Sequence, residues 1–542
     1  MNAYLSDGYL KKIYDRMRDG FIDSIDPSVH ASAYTGVHAE KSGFAEPEFA
    51  GKYLDTCMNF YRSKKDEKLL ANARSVVESI LANARGDGYL GCFIEGDEWK
   101  SFSVWNETFT VYGLASYYEV TGDRRALVAA EKCVRYIADH YMGDPSADIL
   151  DASNFGTQNV SVLLTLPKLY NLTKDKFYLD FAEFIFEHLK KSRNNFFDFG
   201  NILWLDSRKG IENFIILLGM VMYGKETGKN ESVEAAEKYA KVLAEKQIRS
   251  TGNGTKGELW TAGGNTPQFL SAAESPNETC VAVGWCELNA LLFEITKDPR
   301  YIDAVEKSLF NHILGSADEK APDFAYYQQN YGKKMTRTPN GMYKCCRYRG
   351  LSTISMLDKF LFHVDGDDVY PLIYTNCFFE CDEGCVTEKT DYPFDNTVSF
   401  IFSGNVRKRF RMRVPSFCKN VSVTCNETPV NVTETDGYIT FENFFDGDVL
   451  TLDFGTELAI GRAEIGGRPY ASYSYGHLLL VPDSHICKNI YGAKKCDLNF
   501  VRNENTDYGI EFDSDDLKLV DYMSAGKKDP DDEYTEWVAV NE

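Results

Sequence analysis

A phrase that recurs five times in the first 310 residues constrains this chain more than any other feature. Each copy has an aromatic or apolar helix end, a short polar turn, and then a new helix rich in Ala, Glu and Lys. The copies occupy residues 60–66, 117–123, 169–175, 223–230 and 293–298. Their closing residues, Asp66, Asp123, Asp175, Asn230 and Asp298, lie 57, 52, 55 and 68 residues apart. Asp or Asn in that place can accept hydrogen bonds from the free N–H groups of a new helix. Apolar residues then follow at helical spacing, as in Tyr178, Leu179, Ala182 and Ile185, or Tyr301, Ala304, Val305 and Leu309. One period holds two helices, so the array is a series of helical hairpins. An open solenoid and a closed toroid both satisfy that period. The Gly-rich and polar insertions at 87–91 and 251–277 read as loops gathered on one face of a barrel. A closed α/α toroid is therefore favoured over the open solenoid for residues 1–364.

From about Asp365 the helical period gives way to alternation, in runs at 369–374, 398–402, 410–414, 421–423, 437–441 and 449–452. Short strands between Gly, Asn and Asp turns predict a β-sandwich region over 365–542, with one or two sandwiches. A chain of 542 residues is long enough for several cores. The acidic run at 529–533 is expected to be a solvated surface segment.

With 59 Lys and Arg against 81 Asp and Glu, the formal charge is −22. That charge repels phosphate backbones and anionic bilayers, so neither nucleic acid nor a membrane is an expected partner. Residues 1–8 lack the basic and then apolar run of a secretion signal, and no run of about 18 apolar residues offers a span. A cytoplasmic location is the expectation. Fourteen cysteines without a small-domain framework then read as reduced thiols.

Two cysteine features stand above this background: Glu278-Thr279-Cys280 and the adjacent pair Cys345-Cys346. A vicinal pair closes a disulfide only with strain, whereas two neighbouring thiolates can share a metal with ligands from another segment. Glu278, Cys280, Cys345 and Cys346 offer one oxygen and three sulfurs, a mixture that suits Zn2+. Spacing alone leaves equally open that these are small buried residues. Cys377, Cys381 and Cys385 read as structural.

The stretch Asn277-Glu278-Thr279-Cys280-Val281-Ala282-Val283-Gly284, the helix over 292–309, Asn311 and the Cys345-Cys346 pair resemble glycoside hydrolase family 127, typified by β-L-arabinofuranosidases. So do Arg411-Met412-Arg413-Val414-Pro415, Gly437-Tyr438-Ile439 and Gly447-Asp448, and the likeness runs with gaps over most of the chain. The resemblance implies an (α/α)6 barrel with β-sandwich domains and a zinc held by Glu278, Cys280, Cys345 and Cys346. It also makes Cys345 the nucleophile. A thiolate at that position would attack the anomeric carbon, and water would complete hydrolysis with retention, so one carboxylic acid suffices for proton transfer.

The family's Gly-Glu phrase falls on Gly257-Glu258, making Glu258 the expected acid/base, with Trp260 placed to raise its pKa by desolvation. Glu274 is the rival, because the gap from Glu258 to Glu278 is longer than the resemblance implies. Sugar-contacting histidines of the family are missing here: Thr255-Lys256 precede the Gly-Glu phrase, and residues 105–109 contain no His. Trp105, Asn106, Gln158, Asn159, Tyr327 and Gln328 are then expected to read the sugar. Lys256 is a candidate for selecting a carboxylated sugar.

The expected function is a retaining, exo-acting furanosidase acting on a small oligosaccharide or glycoside, with a homodimer as the assembly to test. Two alternatives stand beside it. An α/α-barrel epimerase or unsaturated-uronyl hydrolase would rely on His or Asp pairs and need no thiolate. A glycan-binding protein would use the zinc site structurally.

Overall fold

The capping residues of the turn phrase engage their helices in the computed structural model, which describes residues 2–37, 45–100, 102–264, 277–337, 344–381 and 384–541. The side chains of Asp66, Asp123, Asp175 and Asp298 each accept a backbone hydrogen bond at 3.0 Å, from Leu69, Arg125, Phe177 and Arg300. Each such cap stabilises its helix by about 1 kcal/mol. Asn230 instead begins its helix and caps nothing with its side chain.

Among the described residues, twelve helices carry the barrel. In chain order they are α1 Gly8–Ser24, α2 Glu46–Ser63, α3 Glu67–Asn83, α4 Ser103–Thr121, α5 Arg124–Gly143, α6 Leu166–Thr173, α7 Phe177–Lys190, α8 Gly210–Thr227, α9 Asn230–Lys246, α10 Thr279–Thr296, α11 Pro299–Lys307 and α12 Cys345–Ser355. Burial sorts them into two rings. Helices α2, α4, α8, α10 and α12 are buried nearly all round, as inner helices must be, and α6 with the short turns preceding it completes that ring. The others bury one stripe, as α5 does with Ala126, Leu127, Ala130, Val134 and Ile137.

Helix α12 packs against both α1 and α2, which closes the ring into a toroid. Inside it the backbones of α2 and α4 touch. A Cβ on Gly51 would lie 2.1 Å from the Phe109 carbonyl oxygen, and one on Gly113 would lie 2.5 Å from that of Gly51. Helix α10 is long and apolar enough to cross a membrane by composition, with a mean hydropathy of 1.2, yet 67% of it is buried inside the barrel. An inner helix surrounded by protein needs no polar face, and that is why its sequence looks like a span.

The alternating runs beyond the barrel form strands. Asp368–Pro371, Thr397–Gly404, Arg409–Arg413, Asn420–Cys425, Tyr438–Phe441 and Val449–Gly455 belong to two sheets, one of seven strands and one of four. Phe402 stacks on Phe444 at 3.6 Å and meets Phe410 edge-on at 5.3 Å, filling the space between the sheets of a sandwich. Its first strand comes from the N-terminus: Ala3–Leu5 pairs antiparallel with Cys377–Cys381, so residues 3–5 complete the sandwich although they precede the barrel. A separate eight-stranded sheet takes up residues 458–540.

The acidic run is solvated only in part. Residues 529–531 are exposed, but Asp532 is buried and Glu533–Thr535 pairs with Tyr331–Lys333 of the barrel loop. Pairing with that loop gives the backbone partners that water would otherwise supply.

Arg413 ties the units together. Its guanidinium donates at 2.5 Å to Asp303 and at 2.5 Å to Glu306 of α11. Glu306 also meets Tyr392 at 2.6 Å and His477 Nδ1 at 2.8 Å. All fourteen cysteines are free thiols. Cys377 contacts Glu388 at 3.6 Å and Cys381 donates to the Gly384 carbonyl at 3.2 Å, so these two are packed into the sandwich.

Candidate active site

The N-terminal ends of the inner helices meet at one mouth of the barrel. Glu48 and Lys52 come from α2, Trp105 and Asn106 from α4, Gln158 from the short helix Thr157–Val160, and Glu212 from α8. Cys280 opens α10, with Glu278 just before it, and Cys345 and Cys346 open α12. A helix N-terminus presents free N–H groups and the positive end of the peptide dipole, which favours thiolates and carboxylates.

The pieces separated in sequence by more than 60 residues come into contact. Cys280 Sγ lies 3.0 Å from Cys346 Sγ and 3.2 Å from Cys345 Sγ, and the Cys280 backbone N–H donates to Cys346 Sγ at 3.3 Å. Cys346 Sγ is 3.9 Å from Glu278 Oε1. The donor atoms of Glu278, Cys280 and Cys346 all lie within 4.8 Å of one another. Cys345 joins that trio through Cys280, and on its other side the Lys52 ammonium donates to its sulfur at 3.1 Å. Lys52 in turn pairs with Glu48.

These contacts divide the thiols. Hydrogen bonds from Cys280 and Cys346, followed by the Lys52 cation, hold Cys345 well below the usual thiol range although it is half-buried. Burial pushes Cys280 and Cys346 well above it, and the hydrogen bond of each with Cys345 acts in the same direction. Glu278 is raised to about 8 and Glu48 to about 7, both chiefly by burial. Burial alone would lower Lys52, but the Cys345 and Glu48 charges overcome it and raise the ammonium's pKa. Cys345 is thus the one sulfur of the three disposed to be a thiolate.

The donor set fits zinc. Glu278 Oε2 is buried with no hydrogen-bond partner among the described residues. An unsatisfied carboxylate oxygen facing thiols is costly unless a cation takes it up, and a borderline-soft dication accepts both oxygen and sulfur.

Glu258 stands in a tight turn whose ends meet through the bridge between Lys256 and Leu259. Its Oε1 accepts from the hydroxyls of Tyr326 at 2.6 Å and Tyr327 at 3.0 Å, and its Oε2 pairs with Lys209. Glu278 pairs with Tyr327 across a two-strand ladder, which sets this network beside the thiol cluster. The desolvating role expected of Trp260 is not seen, because its indole packs edge-on to Phe214 at 5.7 Å and polar groups meet the carboxylate. Glu274 lies outside the described residues.

The six expected sugar readers separate into two groups. Trp105 and Asn106 both contact Glu48, the first through its carboxylate and the second through its backbone N–H at 3.3 Å. Gln158 bonds to Glu212, and its Oε1 is buried without a partner among the described residues. Tyr327 bonds Glu258. Asn159 turns instead to the Tyr141 hydroxyl at 3.0 Å. Gln328 is engaged throughout: its amide donates to the carbonyls of Gly315 and Met335, and its oxygen accepts from Gln329 N and the Tyr534 hydroxyl. With its groups so occupied, Gln328 supports the loop and is not placed to read a ligand. Lys256 is exposed on the turn.

Sequence reasoning missed Lys52, Glu48, Lys209 and Tyr326. Lys52 left a legible trace, since it is a charge within the buried run Phe49, Ala50, Gly51, Tyr53 and Leu54. Lys209 and Tyr326 left none, being loop residues of ordinary composition. An apolar cavity of about 260 Å³ runs beyond Lys52, between Asp55, Glu287 and Arg349. Its lining starts at Lys52 and Phe109 and continues to Met222, Phe293 and Met356, so Lys52 stands between this cavity and the Cys345 sulfur.

The role of Lys52 is testable without substrate. Because Cys345 is held below the ordinary thiol range, removing this cation raises its pKa and reduces the thiolate present at neutral pH. In zinc-free protein, Lys52→Met is expected to slow iodoacetamide alkylation of the Cys345 peptide about tenfold near neutral pH and to shift the rate–pH midpoint upward. An unchanged profile would mean that the neighbouring thiols alone set it.

Three thiols and a buried carboxylate lie at the mouth of an α/α barrel beside a second carboxylate held by two tyrosines, and the family models that match the chain are those of glycoside hydrolases. The family description "Beta-L-arabinofuranosidase, GH127 catalytic domain" matches residues 6–359, and "Beta-L-arabinofuranosidase, GH127 middle domain" matches residues 369–456. The chain belongs to glycoside hydrolase family 127.

Solved structures agree on the fold. The GH127 β-L-arabinofuranosidase Ara127N from Geobacillus stearothermophilus T6 is similar with a TM-score of 0.82 at 16% identity, covering 100% of each chain. The GH127 β-arabinofuranosidase BT3674 is similar with a TM-score of 0.84 at 18% identity, covering 100% of this chain and 97% of that one. A search of curated protein sequences returns no match.

Proposed function

We propose that this glycoside hydrolase is a retaining, exo-acting furanosidase that releases a β-L-arabinofuranose-type sugar from a small oligosaccharide or glycoside. The observation that carries the reading is the position of the Cys345 sulfur at the barrel mouth, 3.2 Å from Cys280 Sγ and accepting from the Lys52 ammonium at 3.1 Å. A glycan-binding protein would have no use for one activated thiol among three.

In this reading Glu278, Cys280, Cys345 and Cys346 hold zinc, which when bound supplies the positive charge that keeps the thiols deprotonated. The Cys345 thiolate attacks the anomeric carbon. The C–S bond forms as the glycosidic C–O bond breaks, and Glu258 protonates the departing oxygen. Glu258 then takes a proton from water, whose oxygen attacks the same carbon and returns sulfur as thiolate. Two inversions give net retention. Tyr326 and Tyr327 orient Glu258 throughout, while Trp105, Asn106, Gln158 and Tyr327 border the space for the sugar.

The test is hydrolysis of β-L-arabinofuranosides with product configuration followed by NMR. Retention is expected, and inversion would rule out the covalent route. Glu258→Gln should lower kcat/KM about 10²- to 10⁴-fold for alkyl furanosides and much less for aryl ones, whose leaving groups need little protonation. Equal losses on both would remove Glu258 from the acid role.

A further inference from the structure

We propose that the groove bounded by Phe155, Arg208, Lys209 and Leu259 is the leaving-group subsite and that its occupant is a sugar carrying a carboxylate, a uronate. The proposal rests on Glu258 being the acid/base. The groove, about 420 Å³ in volume, opens beside that residue. Leu259 follows Glu258 directly, and Lys209, on the groove wall, is the cation paired with the Glu258 carboxylate. Whatever leaves after protonation by Glu258 has this groove next to it.

Backbone strain holds an aromatic face over the groove. Asn154 and Phe155 take φ of 52° and 58°, the left-handed region that is strained for residues with a Cβ. The conformation is fixed from several sides. The Asn154 amide donates to Glu212 at 2.7 Å, and the Asn194 amide donates to the Phe155 carbonyl at 2.9 Å. Gly156 follows at φ 85°, where a Cβ would lie 2.4 Å from Leu150 Cα. The outcome is a Phe155 ring 61% exposed, with Leu259 49% exposed. Strain that keeps an aromatic ring in water makes sense if a ligand covers it, and sugar rings stack on such faces.

The charges choose among sugars. Arg208 is exposed at the groove, and no side-chain partner for it occurs among the described residues. Asp206, the acidic residue of the lining, is already paired with Arg193 at 3.2 Å. On a chain of net charge −22 this is a locally positive wall. The Arg208 guanidinium can take up a carboxylate through two parallel N–H donors, an interaction a neutral sugar cannot supply.

The test pairs methyl α-D-galacturonoside with methyl α-D-galactoside, which differ at one carboxylate, and measures binding to the intact protein by ligand-observed NMR. About tenfold tighter binding of the uronoside is expected, with the preference lost in Arg208→Gln and both ligands weakened in Phe155→Ala. Equal affinities, or a preference that survives Arg208→Gln, would overturn the proposal. A kinetic arm compares furanosyl-uronate with furanosyl-hexose disaccharides, and kcat/KM should follow the same preference. An Arg208-dependent uronate preference in binding, with no furanoside turned over, would leave the groove as a uronate site and reject the furanosidase reading instead.

Discussion

Replacing Cys345 by alanine is expected to reduce furanoside turnover about ten-thousandfold or more while leaving zinc bound at about one ion per chain. Loss of the attacking atom removes the whole covalent route, whereas loss of an orienting group costs far less. Metal should remain because Glu278, Cys280 and Cys346 keep three donors within 4.8 Å of one another. Folding should also hold, since Cys345 is only half-buried and opens its helix, and Lys52 keeps Glu48 as a partner. Turnover by HPLC and zinc by plasma emission, on the same sample, check the two halves. Cys345→Ala with turnover within about tenfold of the parent would mean that another atom attacks the sugar.

The second large effect concerns stability. Arg413→Met is expected to destabilise the protein by about 3–5 kcal/mol, because it leaves Asp303 and Glu306 facing each other without their cation. The change should appear as a lower first transition in calorimetry, with the sandwich separating from the barrel. The same network predicts acid sensitivity. Burial alone would raise the Glu306 pKa, but Arg413, His477 and Tyr392 lower it below its ordinary 4.5. A carboxyl depressed in the folded state contributes stability that is complete above its unfolded pKa and is lost as pH falls through the folded value. The parent should therefore lose this contribution below about pH 4.5. Glu306→Gln should be less stable at neutral pH and show a flatter acid limb. An acid limb unchanged in that variant would assign the sensitivity to other carboxylates.

What the sequence made legible was local. Asp66, Asp123, Asp175 and Asp298 bond to N–H groups two or three residues away, so their pattern is written in a short window. Strand alternation at 398–402 or 449–452 is read the same way, and Thr397–Gly404 and Val449–Gly455 are strands. The Cys345-Cys346 pair and Glu278-Thr279-Cys280 stand out because each sets potential ligands within two residues of one another. The rest depends on distant partners. Lys52 meets Cys345 across 293 residues, and Tyr326 meets Glu258 across 68. Neither contact leaves periodicity behind. The same holds for Ala3–Leu5, whose place in the sandwich is set by Cys377–Cys381. Gln328 shows the opposite failure: its amide suits sugar hydroxyls, but the Gly315 carbonyl and Tyr534 occupy it, and composition cannot tell these uses apart.

The central claim is that the sulfur of Cys345 bonds to the anomeric carbon. Its most direct test is intact-mass and peptide analysis after incubation of the zinc-loaded protein with a β-L-arabinofuranose-configured, cysteine-reactive sugar mimic. A single adduct on the peptide that contains Cys345, absent in Cys345→Ala, is the predicted result. An adduct on any other residue, or equal labelling in Cys345→Ala, would contradict the account.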